Sequence, residues 1–263
     1  MMMNFWRRGL VFLAAAAMAA CGQNDLLKLL EKHSEIIDLS YPLTGDSPHW
    51  PAEGYYGLRI DTLATLERNG VLSLAFHFPE HYGTHLDAPN HFAAAQIPVD
   101  EIKPENLFAP MIVLDISETA AKNADYLLEK EDIVRWENIH GAIPDGAIVF
   151  LNTGWARHWK NPEAYRNADK NGVMHFPAYG ETAARFLIHE RRVKAIGIDN
   201  LSIDRGISTD FAVHKIVNGA GVYALENVAN LDIAPPRNAY AVVAPIKIKG
   251  GSGGPARVFA IVP

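Results

Sequence analysis

Cysteine is nearly absent from this 263-residue chain, where Cys21 stands alone. A single thiol excludes an internal disulfide framework and every zinc site built on paired cysteines, so a metal could be held only by His, Asp and Glu. Basic charge is also short. Twenty-four Lys and Arg face 30 Asp and Glu, a formal net charge of −6. No basic run interleaved with aromatics offers a footprint for a phosphate backbone, so nucleic acid is not an expected partner. A long apolar run is missing too. The stretch Leu10 to Ala20 has eleven apolar residues, whereas spanning a bilayer takes about 20. With 49% hydrophobic and 21% charged residues the composition is that of a globular protein, which excludes disordered, collagen-like and coiled-coil classes.

The N-terminus reads as an address. Arg7 and Arg8 precede the apolar run, and Met18-Ala19-Ala20-Cys21 followed by Gly22 resembles a bacterial lipobox, in which cleavage precedes a lipidated cysteine. The expected organisation is a signal peptide over 1–21, of lipoprotein type in preference to a non-lipidated one, a tether over 22–35 and one domain over 36–263. Export to the periplasm or outer membrane follows, with contact to a membrane only through a lipid on Cys21.

Short β-branched runs bounded by Gly, Pro or Asn predict strands at Ile36–Leu39, Leu58–Thr65, Val71–Phe78, Met111–Ile116, Ala147–Asn152, Val193–Asp199, Val222–Leu225, Ala239–Ile248 and Arg257–Val262. Helical periodicity is clearest at Glu131–His140, Gly180–Arg191 and Asp210–Val217. Helices alternating with the later strands predict a single α/β or α+β domain rather than an all-β sandwich.

Histidine is unevenly spread. Four of the eleven, His77, His81, His85 and His91, fall within fifteen residues. The segment HYGTHLDAPNH (81–91) offers His81, His85, Asp87 and His91 as candidate ligands for a borderline divalent ion such as Zn²⁺ or Mn²⁺. On an extended segment His85 and Asp87 face the same way, and Gly83 permits a turn that brings His81 round to them. Gly83 and Pro89 both oppose a helical HExxH-type site.

These residues resemble the HxGTHxDxPxH signature of the cyclase family of metal-dependent hydrolases, the kynurenine formamidase and isatin hydrolase type, and every fixed position is met. IIDLSYPLTGDSPHWP (36–51), LNTGW (151–155), VKAIGIDNLSID (193–204) and HKIVNGAGVYALENVANLD (214–232) are similar to further family segments. The resemblance implies a swivelling β/β/α fold and an intertwined homodimer. It also implies that His81, His85 and Asp87 hold one metal, that Asp87 bridges to a second held by His214 and Glu226, and that His91 is the acid–base. The family includes one-metal and two-metal members, so one or two ions are expected.

The chemistry of the same residues agrees. Amide hydrolysis needs an activated water, a polarised carbonyl and a proton for the leaving nitrogen; a divalent cation serves the first two. His91 fits the third, with Glu226 as ligand or second proton carrier. The expected reaction is cleavage of a C–N bond in a small aryl formamide or cyclic amide. A lactone or ester hydrolase, and a lipid-anchored binding protein that retains the metal site, are the alternatives. Trp50, Phe92 and Trp155 are candidates to stack on an aromatic substrate, against ordinary core packing. His33, His49, His140, His158, His175 and His189 read as surface or structural, His77 as a packing or hydrogen-bonding residue, and Asp199 and Asp204 as residues flanking a turn, which turn chemistry explains as well as catalysis does. GGSGG (250–254) satisfies the G-x-S-x-G nucleophile pattern, but no Asp, Glu or His follows it, so Ser252 reads as part of a flexible turn into the last strand.

Overall fold

The computed structural model describes residues 35–263. The signal segment 1–21 and all of the tether except Glu35 lie outside the described residues. The described residues form twelve strands: β1 (Glu35–Asp38), β2 (Arg59–Ala64), β3 (Ser73–His77), β4 (His85–Asp87), β5 (Phe108–Asp115), β6 (Leu127–Leu128), β7 (Ile148–Asn152), β8 (Ala178–Tyr179), β9 (Ala195–Ile198), β10 (Tyr223–Glu226), β11 (Ala239–Pro245) and β12 (Gly253–Val262). Eight of them form one sheet in the order β1-β12-β11-β5-β7-β9-β10-β4, and β4 also pairs with β12. That extra pairing closes the sheet into a barrel-like ring, so β4 is bonded on both sides.

The middle strands β5, β7, β9 and β10 are parallel and covered on both faces, which is why they read as unbroken apolar runs. Ile112, Leu114, Val149, Leu151, Ile196 and Ile198 point to a layer of three helices, α1 (Lys130–His140), α2 (Glu181–His189) and α3 (Ala212–Gly219). Their neighbours Met111, Val113, Ile148, Phe150, Ala195 and Leu225 fill the interior of the ring with Leu86, Val243, Val258 and Ala260. The fold is a single mixed α/β domain of the expected swivelling kind.

Several expected boundaries shift, among them the start of β5 at Phe108 rather than Met111, and two of the shifts bear on the site. The strand from Ala239 stops at Pro245, and the last strand starts at Gly253 rather than Arg257, because Gly253, Gly254 and Pro255 are already paired with Asp87, Leu86 and His85. The second half of GGSGG is therefore strand rather than flexible turn.

Hairpin β2–β3 stands apart as its own two-stranded sheet. Ile60, Leu63, Leu66, Val71, Leu72 and Phe76 on it are all more than half exposed.

Candidate metal centre

Strand β4 carries the centre of the site. His85 and Asp87 lie on one face, while Leu86 between them is fully buried in the ring interior. The antiparallel register with β10 sets Glu226 opposite His85. Gly83, with φ of 65°, turns the chain so that His81 folds back on the strand; a Cβ there would lie 2.1 Å from Leu43 Cδ2. His214 arrives from the first turn of α3.

His81, His85 and Asp87 form one group of potential donors, and Asp87, His214 and Glu226 a second; within each group the donor atoms lie within 4.8 Å of one another. His81 Nδ1 is 2.5 Å from Asp87 Oδ1, His85 Nε2 is 3.2 Å from Asp87 Oδ1 and 3.5 Å from Glu226 Oε2. His214 Nε2 is 3.3 Å from Asp87 Oδ2 and 3.2 Å from Glu226 Oε1.

The outer nitrogens are committed. His85 Nδ1 donates to the Gly83 carbonyl at 2.9 Å and His214 Nδ1 to Asp204 Oδ2 at 2.7 Å. Both rings therefore present Nε2 to the centre while the other ring nitrogen is hydrogen-bonded, the usual second-sphere arrangement of metal-ligating histidines. His85 Nε2 is buried and has no hydrogen-bond partner among the described residues. A ring nitrogen facing two carboxylates without a satisfying bond is costly unless a cation occupies the space between them. The donor set of imidazole and carboxylate suits a divalent ion of borderline hardness.

Electrostatics follow from the same geometry. Burial alone would push His85 down, but Asp87 and Glu226 override it and hold the imidazole up at about 10. His214 is lifted well above its usual range against the same burial penalty, by Asp204, Asp87 and Glu226. Asp87 is held well below the carboxylate range although burial opposes it, through His85, His81 and His214. His91 goes the other way: burial depresses it to about 4, with His81 and His214 adding to the effect and Asp87 opposing it.

His91 stacks on His81 with ring centroids 3.9 Å apart and also packs edge-on against Phe92 at 4.6 Å. A cavity of about 160 Å³ opens over these rings. Trp50, Phe92 and Phe211 form its aromatic wall, with Phe211 5.8 Å from Trp50 and 5.4 Å from Phe92. A larger groove of about 750 Å³ beside Tyr41 and Trp159 contains no histidine.

The structure thus brings His81, His85, Asp87, His91, His214, Glu226, Trp50 and Phe92 to one place. Trp155 does not line the cavity: it is buried behind the wall with Tyr165, Met174, Phe176 and Leu201, in the cluster against which Trp50 packs, its indole N–H donating to the Tyr165 carbonyl at 2.7 Å. Core packing, the other expectation for it, is the place it takes. His49, read as surface or structural, lines the cavity instead. Asp204 is more than a turn residue, since it holds the ring and the backbone of His214. His77 hydrogen-bonds the exposed Asp61 at 2.9 Å. Tyr55 and Phe211 also line the cavity and had no distinguishing signal in the sequence.

A family model described as Cyclase matches residues 37–205. Isatin hydrolase of Roseibium aggregatum is 33% identical over 192 residues, 70% of this chain and 72% of that protein. Kynurenine formamidase of Bacillus cereus is 27% identical over 227 residues, 86% and 97% respectively. Among solved structures, isatin hydrolase A from Labrenzia aggregata bound to benzyl benzoate matches with a TM-score of 0.85 at 33% identity, covering 92% of this chain and 99% of that one. Isatin hydrolase A from Ralstonia solanacearum matches with a TM-score of 0.83 at 32% identity, covering 96% and 97%. The chain is a metal-dependent hydrolase of C–N bonds other than peptide bonds, and it belongs to the Cyclase family.

Proposed function

We propose that the substrate is a flat, uncharged cyclic amide of the isatin type rather than an amino-acid formamide. The carrying observation is the cavity. At about 160 Å³, walled by Trp50, Phe92 and Phe211 and with no Lys or Arg among its described lining residues, it suits a small fused ring and offers nothing to pair with an α-carboxylate.

In this reading His81, His85 and Asp87 hold one divalent ion, Zn²⁺ or Mn²⁺, and Asp87, His214 and Glu226 provide for a second. When bound, the cation lowers the pKa of water and polarises the carbonyl. The aromatic walls orient the ring and exclude bulk solvent. His91, neutral at pH 7 because burial depresses it to about 4, takes a proton from the attacking water on a ring nitrogen and returns it to the leaving nitrogen. Glu226 is the second candidate for that transfer.

The test is hydrolysis of isatin, N-formylkynurenine and a simple lactone by protein lacking residues 1–21, stripped by chelator and then resupplied with Zn²⁺ or Mn²⁺. Metal-restored turnover of isatin well above the other two supports the reading. Preference for N-formylkynurenine or the lactone refutes it, and ligand binding without turnover of any of them favours a binding protein.

Two further parts belong to the same proposal. The protein is a homodimer in which a second copy covers hairpin β2–β3, since an isolated two-stranded sheet with Ile60, Leu63 and Phe76 exposed is poorly stable in water. Light scattering checks this: Phe76→Glu should yield monomer, and a monomeric parent protein refutes it. The chain is exported to the periplasm or outer membrane and anchored by a lipid on Cys21; mass spectrometry of membrane-extracted protein should find a lipid-modified Cys21 at the N-terminus, and a chain beginning at an unmodified residue after Cys21 refutes it.

A further inference from the structure

The loop that had read as a flexible turn places Ser252 against a candidate metal ligand. Strand β12 starts flush on β4: a Cβ at Gly253 would lie 2.4 Å from the Leu86 carbonyl oxygen and 2.7 Å from His81 Cε1. The Ser252 carbonyl accepts from the Ala88 N–H at 2.8 Å, which ties the loop down beside the site. Its hydroxyl lies 2.6 Å from Glu80 Oε2 and 3.1 Å from His81 Nε2. Glu80 Oε2 also accepts from the Ser252 backbone N–H at 3.2 Å.

The direction of each bond follows from the donor inventory. Ser252 has one hydroxyl hydrogen, and the carboxylate of Glu80, an acceptor at the shorter distance, takes it. The oxygen can then meet His81 Nε2 only as an acceptor, so Nε2 must carry the hydrogen. The remaining nitrogen, Nδ1, faces Asp87 Oδ1 at 2.5 Å. His85 and His214 are set the opposite way, with Nδ1 bonded outward and Nε2 inward.

We propose that Ser252 and Glu80 are positioning residues that hold His81 in its Nε2–H form and so make Nδ1 its donor to the divalent ion. This rests on the metal-site reading above. It also explains why Ser252, although in line with His81 and Asp87, is no nucleophile: its hydroxyl receives a hydrogen bond from the ring and gives its own proton to Glu80. Removing Glu80 frees the hydroxyl to donate to Nε2, which favours a hydrogen on Nδ1 and competes with the ion. Removing Ser252 leaves Nε2 without its acceptor.

The experiment uses Zn²⁺ and long-range ¹H–¹⁵N spectra of protein with labelled histidine, the His81 signal being assigned by its loss in His81→Gln. The expected result is one histidine bound through Nδ1, identified as His81, with His85 and His214 bound through Nε2. Chelator competition should show Ser252→Ala and Glu80→Ala losing about 10- to 100-fold in Zn²⁺ affinity, with Ser252→Thr close to the parent. Circular dichroism of the metal-free variants checks that they fold, and if either does not, the spectrum of the parent protein decides. Zn²⁺ bound through His81 Nε2, or undiminished affinity in folded Ser252→Ala and Glu80→Ala, would overturn the proposal alone. A parent protein that binds no Zn²⁺ would overturn the metal-site reading and this proposal with it.

Discussion

Asp204 grips His214 twice, accepting from its ring Nδ1 at 2.7 Å and from its backbone N–H at 3.0 Å through the same Oδ2. The other oxygen takes the Val213 N–H at 2.9 Å. One carboxylate thus caps the start of α3 and aims the imidazole that the helix carries. Asp204→Ala should lower stability by about 1 to 3 kcal/mol through the lost cap and the unpaired Nδ1, and divalent-ion affinity by about 10- to 100-fold. Thermal unfolding and chelator competition measure the two; an unchanged affinity would separate Asp204 from the site.

His91 stacks on His81 without sharing a hydrogen bond with it. His91→Ala should therefore cut kcat by about 10² to 10⁴, the usual yield of a positioned acid–base group, while the protein still takes up its ion. Metal analysis alongside kinetics makes the check: full activity with metal retained removes His91 from the chemistry, and lost metal would make it a ligand instead.

Metal uptake should be linked to protons. His85, raised to about 10, and His214, raised well above its usual range, are charged at pH 7 in the metal-free protein, and an imidazole must shed its proton to ligate. Apparent affinity should rise with pH from about 6.5, the ordinary histidine value, toward 10. Calorimetry in buffers of different ionisation heats should find at least one proton released per Zn²⁺ at pH 7. No release would contradict the charge state derived from these carboxylates.

Phe211 bridges Trp50 and Phe92 across the cavity wall. Phe211→Ala should raise KM for isatin with a smaller effect on kcat, about tenfold in kcat/KM for one lost aromatic contact. A change in kcat alone would place Phe211 in the chemical step rather than in binding.

The sequence itself determined most of the ligand strand. HYGTHLDAPNH carries its donors at spacings that an extended backbone and one glycine turn can converge, so His81, His85, Asp87 and His91 were legible as a cluster. The parallel strands and α2 were equally plain, because two-sided burial writes continuous apolar runs and one-sided burial a helical period.

Tertiary structure decided what local spacing cannot carry. Asp204 sits ten positions before His214, yet only the docking of α3 onto the sheet makes them partners. Trp155 and His49 exchanged their expected places because side chains from separate loops are sorted by packing, not by nearness in the chain. Ser252 lies 171 positions from His81, and the two meet because β12 pairs with β4 when the sheet closes. Donor types were set by composition; which nitrogen of each ring points inward was set by the hydrogen-bond acceptors that the closed fold brings behind it.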